Sequence, residues 1–239
     1  MTVKSFKILS LLLAYPTVEI QAASCEFSDI LSGEGLVPDD HLPPLRALIE
    51  EYRTGELLDL QERYVLLFDR TRTLSLHLFE HVHGESRDRG QAMVDLQAMY
   101  EERGLAIGST ELPDFIPLFL EFLSTLPQDE ALDLLSQPAH VIAALGERLA
   151  RRESNYAAVL MALAAIVEAD PKSTEALLEE PDDDPNDLEA LDAVWEAENV
   201  TFGPGSPDEG CPKVDGMLDR LAAEMDAPPA DAGTSEERA

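Results

Sequence analysis

His77, Glu80 and His81 form an H-x-x-E-H run. Two histidines one helical turn apart can hold zinc while the glutamate between them activates a bound water, as in the inverted zincins. His83, Glu85 and Asp88 follow closely enough to be imagined as further ligands. The chain has only five histidines, however, and no second cluster supplies an obvious distant ligand. Histidines that are exposed, or satisfied within the core, account for the same residues, so a zinc metallopeptidase is the alternative reading and not the leading one. No catalytic residues and no metal ligands are assigned.

The run lies within Tyr64 to Tyr100, a stretch that also carries four arginines interleaved with acids and the Gly84 turn. Charge placed beside strongly apolar helical patterns must be paired or used, which makes this stretch the candidate functional region. A salt-bridged, solvated turn is the bland account of the same residues. Other catalytic templates are missing: there is no G-x-S-x-G, no glycine-rich phosphate loop ending in Lys-Ser or Lys-Thr, no C-x-x-C and no dinucleotide fingerprint.

The elements around this stretch read as helices. Val3, Phe6, Leu9 and Leu13 recur at helical spacing, as do Ile20, Ala23, Phe27, Ile30 and Leu31 before a turn assigned to Gly33. Leu42 to Tyr52, with Pro43 and Pro44 in its first turn, and Leu57 to Phe68 follow. Leu74, Leu76 and Leu78 alternate as a strand would, but no partner strand is available, and the expectation is the start of a helix running through His83. Ala92 to Tyr100 predicts a helix closed by Gly104. Asp114 is expected to cap the most apolar helix, Phe115 to Leu126, and three further helices run to Val167.

The expected fold is all-α, a single-domain bundle of stacked antiparallel helices with an acidic, partly disordered C-terminal extension. Its parts are a body over 1–170, an acidic linker with short docking helices over 171–226, and a disordered tail over 227–239. The extension is marked by charge: Glu168 to Ala239 holds 22 of the 48 acids against four basic residues. Leu188, Leu191, Val194 and Trp195, then Val214 to Met225, still show amphipathic spacing.

A net charge of -31 opposes binding to phosphate backbones and to anionic lipid, so nucleic-acid and direct membrane partners are excluded and a basic peptide fits better. The start, MTVKSFKILSLLLAYP, superficially resembles a signal peptide. Its apolar run is interrupted at Ser10 and meets Pro16 with no small-x-small site, so it is read as a first amphipathic helix and the protein as cytoplasmic. Cys25 and Cys211 are too few and too far apart to require an oxidising compartment, and Cys25 is expected to be a small buried hydrophobe.

YVLLF (Tyr64 to Phe68), HLFEHVHGESRDRGQAMVDL (His77 to Leu96), ELPDFIPLFLEFL (Glu111 to Leu123) and WEAENVTFG (Trp195 to Gly203) together resemble the nitrate reductase delta-chain family. These are molybdenum-cofactor assembly chaperones within the wider all-helical redox-enzyme maturation chaperones. The resemblance implies a non-enzymatic cytoplasmic chaperone that binds the apo alpha subunit of respiratory nitrate reductase, partly through that subunit's N-terminal peptide. It implies that the chaperone assists insertion of molybdopterin guanine dinucleotide and iron-sulfur clusters into its client, holds no tightly bound cofactor itself, and is absent from the mature complex. Tyr64, Leu67 and Phe68 match the family's aromatic-x-x-Leu-Phe motif. Glu111, Pro113 and Asp114 match its Glu-x-Pro-Asp-His signature, with Phe115 where histidine is usual, so no imidazole role transfers there. Candidate client contacts are therefore Tyr64, Leu67, Phe68, Glu111, Asp114, Phe115 and Phe119, with Glu80, His83, Arg87 and Asp88 from the charged turn. Core packing and helix capping are the structural readings of the first group.

Overall fold

Helix α1 (Lys4–Leu13) is enclosed on nearly every side. The expected stripe of Val3, Phe6, Leu9 and Leu13 is buried, and so are Ser5, Ile8, Ser10 and Leu12. A helix leaves its first amides and last carbonyls unpaired, and here distant side chains take them. The Glu34 carboxylate accepts from Lys4 N (2.9 Å) and Ser5 N (2.6 Å). The Tyr52 hydroxyl donates to Leu12 O (3.2 Å) and the Tyr64 hydroxyl to Leu13 O (3.1 Å). Ser10, which interrupts the apolar run, donates to Pro117 O (2.7 Å).

The computed structural model describes residues 3–83, 87–108, 111–170 and 174–178. All of them fall in one compact unit, Met1–Leu188, while the second unit, Glu189–Ala239, lies outside the described residues, as do the amphipathic segments near Trp195 and Val214 and the tail.

After α1 come α2 (Val18–Ala23), a 3-10 turn (Ser24–Glu26) and α3 (Phe27–Glu34). One helix was expected here. The 3-10 turn breaks it and rotates Cys25 outward, so Cys25 is exposed and not a buried hydrophobe. Gly35, not Gly33, supplies the left-handed residue, with φ of 68° past the end of α3, because the chain completes another half-turn before reversing.

Next are α4 (Leu42–Thr54) and α5 (Leu57–Tyr64), which continues into a π-helical turn (Val65–Asp69) and then a 3-10 turn (Arg72–Leu74). The helix expected from Leu74 begins only at α6 (Leu78–His83). Before it residues 75–77 are extended, with an isolated antiparallel bridge between His77 and Phe115. All three leucines are buried. Helices α7 (Arg87–Glu102), α8 (Ile116–Thr125), α9 (Gln128–Ser136), α10 (Ala139–Arg151), α11 (Ala157–Ile166) and the short α12 (Glu175–Leu178) complete the described chain.

Two antiparallel pairs form the core. Helix α1 packs on α8, joined also by a Lys7–Glu121 ion pair, and α10 packs on α11. The second pair is close because Gly146 has no side chain: a Cβ there would stand 3.3 Å from Leu160 Cβ and from Met161 N. Helix α11, AAVLMALAAI, is wholly apolar and surpasses α8, the helix expected to be the most apolar. The fold is all-α among the described residues, as the periodicity required.

Candidate functional site

The extended strip between the 3-10 turn and α6 is laid against the segment before α8. Ile116 N donates to Leu76 O (2.8 Å) and Leu78 N to Asp114 O (3.1 Å). Between these backbone bonds the Asp114 side chain, fully buried, points at the start of α6. Its Oδ2 accepts from Phe79 N (3.0 Å) and its Oδ1 from His77 Nδ1 (3.1 Å). Asp114 therefore caps α6 from a distant part of the chain and not α8, as the sequence suggested; α8 begins after Phe115 with no side-chain cap. Proximity in sequence misled because the β-bridge brings α6 closer to this carboxylate than the amides of α8.

His77 carries a raised pKa, first because it donates to Asp114, against a desolvation that lowers it; Glu80 and Glu111 add favourable charge. Its ring also lies 5.3 Å from that of Phe115. The Asp69 carboxyl is pushed up by burial, with His77 opposing. Thus the charges of Asp69, Glu80 and Glu111 act on an imidazole already paired with Asp114. Glu111 is exposed, Glu80 half-buried and bonded to Arg89 (3.2 Å), and Phe115 half-buried.

The zincin geometry does not form. His77 precedes α6, so the two histidines do not stand one turn apart on a helix, and His81 Nε2 is 2.8 Å from Ser75 O. Each ring already has a protein partner. Among the described residues no three His, Cys, Asp or Glu side chains converge as a metal set.

Tyr64, Leu67, Phe68 and Phe119 are buried. Tyr64 and Phe68 belong to an aromatic chain in which Tyr15 meets Tyr64 edge-on (centroids 5.5 Å), Tyr64 meets Phe68 (4.9 Å), and Phe68 meets Tyr156 (5.1 Å). Tyr156 and Tyr52 share a hydroxyl–hydroxyl bond of 3.1 Å. The motif thus ties α1, α5 and α11 together. Burial raises the Tyr64 phenol, and the charges of Asp69 and Glu111 nearby raise it further.

On the outer side of the same segment, Tyr15, Leu58, Gln61, Glu62, Val65, Leu66 and Arg70 line an open groove of about 610 Å³. Leu58 is 77% exposed and Tyr15 46%. The sequence reading missed this groove. Leu58 falls off the core stripe of α5, and an exposed leucine alone carries no signal. The π-helical turn alters the side-chain register beyond Tyr64 and leaves Val65 and Leu66 half-buried beside it.

Of the charged turn, His83, Arg87 and Asp88 contribute backbone to α6 and α7. Their side chains, and residues 84–86 with Gly84 and Glu85, lie outside the described residues. Tyr100 of α7 is buried and donates to Pro113 O (2.8 Å), which fixes the segment carrying Asp114.

Residues 38–162 match the model of a family described as nitrate reductase delta subunit. Over 207 residues the chain is 44% identical to the nitrate reductase molybdenum cofactor assembly chaperone NarJ of Escherichia coli (strain K12), covering 85% of this chain and 86% of that one. The chain belongs to the nitrate reductase delta subunit family. A solved redox enzyme maturation protein from Archaeoglobus fulgidus shares the fold, with a TM-score of 0.50 at 20% identity over 70% of this chain and 94% of that one. The relative's name describes an assembly chaperone and not a catalyst, in keeping with the expectation that this chain is not an enzyme. No described helix is long and apolar enough to cross a membrane.

Proposed function

We propose that this family member is a cytoplasmic chaperone dedicated to respiratory nitrate reductase. It binds the apo alpha subunit, including its N-terminal segment, and keeps it open for insertion of molybdopterin guanine dinucleotide and iron-sulfur clusters. It leaves before the mature complex works at the membrane. The cofactor is cargo of the client in this reading, and no residue of the chaperone is assigned to it.

One observation carries the placement of the client. The buried Tyr64 ring touches Tyr15 at the groove and feels the carboxylates of Asp69 and Glu111, so an apolar groove and an acidic patch meet over one side chain. A client segment with apolar residues on one face and a Lys or Arg beyond them fits: the apolar face fills the groove between Leu58 and Leu66, and the cation faces Asp69, Glu80 and Glu111. Phe115 flanks the acidic end. Tyr64, Leu67, Phe68, Asp114 and Phe119 then act as the scaffold beneath the contact surface. His83, Arg87 and Asp88 remain candidate contacts at the acidic end.

Binding kinetics of the client's N-terminal peptide test this. Leu58→Asp, at an exposed position, is expected to leave the fold intact and to speed peptide dissociation about tenfold or more. Glu111→Gln is expected mainly to slow association and weaken its dependence on salt. Unchanged binding in both variants refutes the placement, and failure of the wild-type chain to retain the alpha subunit in a pull-down refutes the function.

A further inference from the structure

Arg148, in α10, is 2% exposed, and its guanidinium donates to backbone carbonyls of two other segments. Nη1 donates to Thr73 O (2.9 Å), in the 3-10 turn that leads into the His77 strip. Nη2 donates to Leu177 O, in the short α12. One buried guanidinium therefore joins two backbone segments that are about a hundred residues apart in sequence. Burying a guanidinium is costly unless it is paired, so each of the two carbonyls helps to hold Arg148 where it reaches the other.

The consequence lies in what each segment carries. Beyond Thr73, Ser75 O is bonded to His81 Nε2, Ser75 Oγ accepts from His77 N (3.3 Å), and Leu76 O accepts from Ile116 N. These bonds set the position of His77 and of the first turn of α6. The other segment is a strap: Thr174 is buried, Leu177 packs against the core, and the acidic C-terminal extension follows in sequence.

We propose that Arg148 couples the strap at residues 174–178 to the strip at residues 72–77, so that docking or release of the strap tightens or loosens the His77 face. The coupling is a property of the free chain. Only its effect on client binding rests on the function proposed above. Two segments held by one buried group have linked equilibria, and the link acts in both directions.

Amide hydrogen exchange on the full chain tests the bridge. Leu177→Asp dislodges the strap, which packs on α10, and leaves every residue of the strip unchanged. It is expected to speed exchange at the Leu78 and Ile116 amides about tenfold while leaving the α1 amides unchanged. Arg148→Gln is expected to do the same, and the double variant to add nothing further, since both remove one connection. Faster exchange confined to the strap, a uniform increase through α1, or additive effects of the two substitutions each overturn the coupling. Should Arg148→Gln not fold, Leu177→Asp decides alone, because Leu177 is only partly buried. Peptide affinity in the same variants tests the client placement separately: coupled exchange with unchanged affinity upholds the bridge and rejects the His77 face as the docking site.

Discussion

Asp114 offers the sharpest test of how the site is held. Replacing it with alanine removes the acceptor of Phe79 N, at 3.0 Å, and the partner of His77 Nδ1, at 3.1 Å, in a place with no solvent access for the carboxylate. Loss of a helix cap costs about 1 kcal/mol and loss of a charge-assisted hydrogen bond about 1.5–3 kcal/mol, so a total of about 3 kcal/mol is expected at pH 6. For a chain of this size that lowers the thermal midpoint by roughly 6–12 °C. The sign of the pH dependence follows from His77, whose pKa is raised in the folded state chiefly by the bond to Asp114. A raised pKa stabilises the fold fully below the unfolded value of about 6.5 and ceases to do so as the pH climbs through the folded value. The cost of Asp114→Ala is therefore expected to shrink to about 2 kcal/mol at pH 9, where the imidazole is neutral and only its ionic attraction to the carboxylate has gone, both hydrogen bonds still being lost. Asp114→Asn keeps an acceptor for Phe79 N and isolates the charge, so most of its smaller cost should vanish at pH 9. Urea unfolding at the two pH values measures both variants. An equal cost at pH 6 and pH 9 refutes the ion pair. Loss of exchange protection in the first turn of α8, with α6 unaffected, refutes the cap across the bridge.

Two further outcomes check the turns. Gly35→Ala should destabilise by about 1 kcal/mol, since Gly35 is left-handed at φ 68°, whereas Gly33→Ala, within α3 and with open space around it, should be neutral or stabilising by up to about 1 kcal/mol; chemical denaturation that reverses this order would return the cap to Gly33. Cys25 should react with a disulfide reagent in the folded chain nearly as fast as in denaturant, with Cys25→Ser identifying its share of the signal. Strong protection would contradict its exposure.

Helix type and core membership were legible in the sequence because they depend on local spacing. The stripes of α1, α4 and α10 are buried as the 3.6-residue period required, whereas the alternation of Leu74, Leu76 and Leu78, read as the start of a helix, spans the end of a 3-10 turn, the extended residues 75–77 and the first residue of α6. The four quoted segments also sufficed to place the chain in its family. Turn details were legible only to within a residue or two: Gly33 and Gly35 are equally good candidates until the length of α3 is known.

Tertiary structure decided which charges meet. Asp114 could have capped the helix beside it, and only the bridge between His77 and Phe115 turned it towards α6. The same bridge takes His77 off the helix and dissolves the H-x-x-E-H pattern, which needs both histidines on one helical face. Tyr64 and Phe68 looked like groove residues at a spacing of four, but the core claims both, and the accessible apolar surface comes from Leu58 of α5 and from Val65 and Leu66, whose positions depend on the π-helical turn. Arg148 appears in the sequence as one more basic residue near the end of a helix. Its burial between Thr73 O and Leu177 O exists only once three distant segments have packed, because backbone carbonyls leave no trace in residue identity.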